Sequence, residues 1–216
     1  MTRSLIIVGA GGHAAVVADA WLSAGATLLG FTDVNQALHG DTVCGYPVLG
    51  DDTVLDAYKP LTVWLANGIG TRGVPEDRLR RSSEQRMRAA GWEFATVRHP
   101  AAIVSRFATV AAGSQLFANS VVQVGAAIGR GAIVNTGAIV EHDTKIGEWT
   151  HLAPGAVVCG GVTIGDRSFV GAGAVVRQGL RLGDDTVVAA GAVVVEDFPA
   201  GGKLVGVPAR LVAARI

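Results

Sequence analysis

From Val104 to Val194 every sixth residue is Val, Ile or Leu, sixteen times without a gap. A period of six suits neither a helix, which repeats at about 3.6, nor a long strand, which alternates at about two. It suits a short strand and a sharp turn, repeated. Four residues after each aliphatic comes a mostly small residue: Ala108, Ser114, Ser120, Ala126, Ala132, Ala138, Thr144, Thr150 and Ala156, with Leu180 and Phe198 as later exceptions. That residue and the next aliphatic are two apart, so both point inward from one strand. The second and third residues after the aliphatic carry turn chemistry, as in Arg130-Gly131, Glu148-Trp149, Asp166-Arg167 and Asp184-Asp185. Three strands close a triangle, so three hexapeptides make one coil. The sixteen then predict a prism of a little over five coils, roughly 25 Å tall at about 4.8 Å per stacked strand. Small inward residues let the corners close, which accounts for an aromatic content of only 6%.

The first half has a different grammar. Apolar runs at 5–8, 27–32, 61–66 and 94–97 predict strands, and 14–24 and 75–90 predict helices. Their alternation gives a βαβ-type parallel sheet over 1–100, ahead of the repeat domain at 101–216. Between the first strand and helix stands Gly9-Ala10-Gly11-Gly12-His13. Gly9, Gly11 and Ala14 fit G-x-G-x-x-G/A, and Asp33 follows at a suitable distance. Glycines there let backbone N–H groups approach a phosphate at a helix N-terminus. About 95 residues hold only half of the usual dinucleotide fold, so a nucleoside diphosphate fits better than NAD. A tight turn without a ligand is the plain alternative.

Composition removes other classes. Lys and Arg total 18 and Asp and Glu total 18, so no bulk positive charge draws nucleic acid. No apolar run approaches the roughly 18 residues a membrane helix needs. The N-terminus lacks the long apolar core of a signal peptide, which points to the cytoplasm. Cys44 and Cys159 make neither a disulfide framework nor a zinc set, and read as small hydrophobes. The arginines at 78, 80, 81, 86 and 88 alternate with acids and read as a solvated helix face.

The repeat resembles that of the left-handed parallel β-helix acyltransferases. Joined to a G-x-G-G-H loop in a small α/β domain, it resembles the sugar O/N-acyltransferases of the sialic-acid-acetylating type. Close relatives in that family acetylate nucleotide-linked 4-amino-4,6-dideoxy sugars. The resemblance implies an α/β Rossmann-like N-terminal domain holding a nucleotide-linked amino sugar, and a left-handed parallel β-helix along which acetyl-CoA lies. Gly206-Val207-Pro208-Ala209 resembles the family's closing segment. By matched position, Gly11, Gly12 and His13 line the sugar-nucleotide site, with Asp33, Asn67 and Gly68 beside it. His142 matches the catalytic base. The acid after it is Asp143, where close relatives can carry Glu. His151, Ala172 and Ala190 match positions that contact acetyl-CoA, and no metal is implied.

Acid–base chemistry agrees with a histidine. Amine attack on a thioester needs a proton removed, and imidazole, with a pKa near about 6.5, is mostly neutral at pH 7. The developing oxyanion needs a donor. Gly160 stacks one coil beyond His142 and offers its N–H. His142 falls on a prism corner, whereas Asn135 and His151 point outward from the opposite face. One prism cannot bring all three together, so the expectation is a homotrimer with catalytic Asn135 and His151 of one copy facing His142 of another. Three other readings remain: a sialic-acid-type O-acetyltransferase, a non-catalytic β-helix scaffold, and a metal hydratase. The last needs three histidine ligands, and the repeat region has only His142 and His151.

Overall fold

The computed structural model describes residues 3–71, 77–199 and 201–212. They form two compact units, the first holding residues up to Thr71 and Arg78–Pro100, the second Asp77 and the residues from Ala101 on. The predicted helix start at Pro75 and residue Ala200 lie outside the described residues.

In the first unit β1 (Ser4–Val8), β2 (Leu28–Thr32), β4 (Tyr46–Gly50) and β5 (Val63–Asn67) run parallel. β3 (Thr42–Val43) adds an antiparallel edge, in the order β3-β4-β2-β1-β5. The β3–β4 hairpin was not legible in the sequence, because Pro47 and two glycines interrupt its apolar pattern. The predicted strand at 94–97 shrinks to a bridge from Phe94 to Leu65 and a two-residue strand, Val97–Arg98. Helices α1 (Gly12–Ser23) and α2 (Asp77–Ala89) complete the layers. Ile6, Val8, Leu65, Met87 and Phe94 form a core against α2. Beside Met87, the face of α2 that turns inward carries polar groups, with Arg80 and Glu84 fully buried and Ser83 nearly so. This corrects the expectation of a solvated face for Arg80 and its acid Glu84, whereas Arg78 and Arg86 are exposed as expected. Asn67 donates to the Arg80 carbonyl and to Glu84, and Arg88 pairs with Glu84 at 2.8 Å, which makes the burial tolerable.

The second unit is a left-handed parallel β-helix. From Ile103 to Val194 strand partners are 18 residues apart, as in Val121 with Ile139, Lys145 with Thr163 and His151 with Phe169. Every sixth residue from Gly113 to Gly191 has positive φ. Most are glycine, while Asn119, Asp143, Trp149, Arg167 and Asp185 adopt that conformation with a side chain. From Val110 to Val188 the left-handed residue is therefore the third after the aliphatic, and it makes the corner. Inward positions such as Ala132, Val134, Ala138, Val140 and Leu152 are fully buried. Several inward Ser and Thr hydroxyls bond corner carbonyls: Thr144 reaches Cys159 O at 2.9 Å and Thr150 reaches Gly165 O at 2.7 Å, while the buried Ser120 hydroxyl makes no such bond. At the C-terminal end Gly202–Val205 pairs with Thr186–Val188, and Arg210–Val212 folds back on it. Leu204 and Ala209 join the prism core.

The three outward faces differ. Thr109, Lys145, Thr163 and Arg181 make one polar and exposed. Val121, Ile139, Val157, Val175 and Val193 make the next an aliphatic stripe, half-buried in the single chain. The third carries Gln115, Ile133, His151 and Phe169.

Candidate active site

The first unit holds a cleft of about 460 Å³ at the C-terminal ends of its strands. Gly11, Gly12, His13, Asp33 and Gly68 line it, five of the six residues expected there. Asn67 does not. It is buried, and its amide faces α2 and the Ile69 N–H. Sequence reasoning missed Thr32, Asp52, Ser83 and Arg86, which also line the cleft. Arg86 pairs with Asp52 at 2.8 Å across 34 residues, and no spacing rule links them.

The glycines differ in purpose. A Cβ on Gly68 would lie 2.6 Å from Ile7 and 2.7 Å from Ala14, so glycine there lets β5 pass close to α1. A Cβ on Gly11 or Gly12 would meet nothing within 4 Å. The fold does not require glycine at those two positions, and the open space faces the cleft. Gly11 caps α1 without a side chain, leaving the helix N-terminus to the cleft. Both carboxylate oxygens of Asp33 accept backbone N–H groups, from Ala10 and Asn35 at 2.8 Å each. Asp33 therefore anchors the glycine loop to the end of β2.

In the second unit His142 stands on a corner with its side chain 60% exposed. Its Nδ1 lies 2.9 Å from Asp143 Oδ2, so the shorter acid does reach the imidazole. Gly160 is stacked beside the ring: a Cβ there would lie 2.5 Å from Nε2. The Gly160 N–H makes no hydrogen bond among the described residues, whereas the Gly161 N–H is taken by His142 O at 2.8 Å. Asn135 Nδ2 and His151 Nε2 meet at 3.1 Å, and His151 is 6% exposed with Phe169 edge-on to it. Ala172 and Ala190 are exposed on the corner that Asn135 begins. His142 and Gly160 occupy the next corner along the chain. The aliphatic face lies between these two corners, so the described geometry keeps the two groups apart within one chain. Among the described residues no group of three or more His, Cys, Asp or Glu could hold a metal ion.

A parallel β-helix with an acid-paired histidine on its corner, in one chain with a Rossmann-like unit that holds a glycine-lined cleft, defines a class of sugar acyltransferases. Residues 4–74 match the PglD N-terminal domain, 143–178 the bacterial transferase hexapeptide of six repeats, and 161–196 the hexapeptide repeat of succinyl-transferase. No curated protein sequence matches the chain. Among solved structures, the acetyltransferase domain of PglB from Neisseria gonorrhoeae, in complex with acetyl coenzyme A, is 34% identical. The alignment covers 98% of this chain and 100% of that one, with a TM-score of 0.89. PerB from Caulobacter crescentus, in complex with CoA and GDP-perosamine, is 36% identical over 99% of each chain, with a TM-score of 0.89. A histidine variant of the perosamine N-acetyltransferase from the same organism is 34% identical, covers 99% and 98%, and has a TM-score of 0.90. The chain belongs to this family of hexapeptide-repeat acetyltransferases with a PglD-type N-terminal domain.

Proposed function

We propose that the chain is an acetyl-CoA-dependent N-acetyltransferase. Its substrate is the 4-amino group of a nucleotide-linked 4-amino-4,6-dideoxy sugar, GDP-perosamine or a UDP- or dTDP-linked analogue. The observation that carries the reading is the exposed His142 imidazole, held by Asp143 at Nδ1 and open at Nε2 beside Gly160. With Nδ1–H donating to Asp143, Nε2 keeps its lone pair. His142 Nε2 then takes a proton as the amine nitrogen bonds to the thioester carbon. Gly160 N–H donates to the oxygen on which charge develops. Asp143 stabilises the imidazolium, which returns its proton to the departing thiolate. The relatives in complex with acetyl-CoA, CoA and GDP-perosamine support both substrates. The α1 N-terminus, with Gly11 and Gly12 open to the cleft, supports a diphosphate in the first unit.

The aliphatic face supports assembly. An outward stripe of Val and Ile is better covered than wet, and three copies packed side by side would cover it. Copies so packed would bring Asn135 and His151 of one towards His142 of another, with Ala172 and Ala190 flat enough for a pantetheine chain. No helix among the described residues is long and apolar enough to cross a membrane, and the reading puts the reaction in the cytoplasm.

The test is direct assay. The purified protein, acetyl-CoA and, in turn, GDP-, UDP- and dTDP-linked 4-amino sugars should release CoA and add one acetyl mass to the sugar nitrogen with one of the three. Turnover confined to sialic acid would replace this reading with O-acetylation. No turnover with any sugar would return the chain to the scaffold reading.

A further inference from the structure

We infer that Gly125 is a positioning residue for the His142–Asp143 pair, an inference that rests on His142 being the base. Gly125 and Asp143 are one coil apart on the same corner. The Asp143 N–H donates to the Val124 carbonyl at 3.1 Å, so the two corners are in register. Asp143 is itself left-handed, with φ +59. Its carboxylate lies back over the coil before it. There Oδ1 fills the place that a Cβ on Gly125 would occupy, while Oδ2 lies 2.9 Å from His142 Nδ1. One oxygen holds the imidazole, and the other rests in the space left by the missing side chain.

A methyl group at 125 would meet that oxygen first. The next atoms are further off, Asp143 Cγ at 3.4 Å and Asp143 N at 3.5 Å. Rotating the carboxylate relieves the clash without moving backbone, and the same rotation takes Oδ2 off Nδ1. Gly131 and Trp149 stack in the same way one corner later, and a Cβ on Gly131 would lie 2.8 Å from the indole. Trp149 is 8% exposed, so the cost there falls on the core. The Asp143 side chain is 73% exposed, so the fold loses little and His142 loses its partner. The ring is thus set from two sides: Gly125 makes room for its acid, and Gly160 makes room for the ring.

Steady-state kinetics of Gly125→Ala, Asp143→Ala and the double variant test this. Gly179→Ala controls for backbone strain, since Gly179 has φ +73 against +72 at Gly125 and open space around it. Gly125→Ala and Asp143→Ala should each lower kcat on the order of tenfold, with the acetyl-CoA KM unchanged. The double variant should be no slower than Asp143→Ala, because Gly125 acts only through that carboxylate. Gly179→Ala should keep the parent kcat. Should Gly125→Ala fold poorly, Gly125→Asn carries the same Cβ, and Asn119 already takes this corner conformation. A parent-like kcat for Gly125→Ala or for Asp143→Ala overturns the inference, as does a loss that multiplies in the double variant. If His142→Ala is also fully active, it is the proposed function that fails.

Discussion

Gly160 and the His142 imidazole are packed so closely that a Cβ on the glycine would lie 2.5 Å from Nε2. Gly160 is not among the residues with positive φ, so alanine is conformationally admissible there. Gly160→Ala should fold with an unchanged Tm and push the ring from its place. A displacement near 1 Å costs on the order of 10²-fold in kcat. Kinetics beside a thermal melt check this. A variant with parent kcat would free the base from dependence on that contact.

His142→Ala removes the proposed base. The expected loss in kcat is about 10²–10⁴-fold, with little change in the acetyl-CoA KM. A variant that keeps more than half of the parent rate would remove His142 from the chemistry.

The glycines of the first unit should separate into two kinds. Gly68→Ala drives a methyl into Ile7 and Ala14. Urea unfolding should show a loss of about 1–3 kcal/mol, as overpacking does. A Cβ at Gly11 meets open space, so Gly11→Val should lose only the helix-cap preference, about 1 kcal/mol or less, while weakening nucleotide binding by calorimetry. Equal nucleotide affinity in parent and Gly11→Val would move the diphosphate away from the α1 N-terminus.

Catalysis should need two copies at each site and an assembly of about 66 kDa, three times the 22.0 kDa chain. Inactive His142→Ala chains, reassembled with inactive chains altered at both Asn135 and His151, should regain activity, because some grooves receive both intact sides. Subunit exchange seen by mass spectrometry without recovered activity would place the whole site on one chain. A monomer in sedimentation would remove the trimer.

How much was legible varied with the range of the interaction. The aliphatic period gave the coil, its corners and the inward residues, and placed His142 and Gly160 on one corner in adjacent coils. The glycine loop and Asp33 pointed to the cleft. Asn67 was misplaced because adjacency to Gly68 says nothing about side-chain direction; its amide is drawn to buried Glu84 and the Arg80 carbonyl on α2. Arg80 and Glu84 were misread because charge alternation ordinarily marks a wet face. Here polar groups share the inward face of α2 with Met87, and Glu84 is held by Arg88 one turn on and by Asn67 from β5, a partner that no helix pattern reveals.

The sequence by itself determined which side chains enter the prism and where the chain turns. Alternation along a strand and the preference for positive φ are local, and both repeat every six residues. Only the tertiary structure decided which outward groups meet. Asp143 lies over Gly125, Asn135 touches His151, and Arg86 crosses to Asp52. Such contacts depend on rotamers and on the packing of separate coils or elements. Local periodicity sets the direction in which a side chain leaves the backbone, and not the atom it reaches.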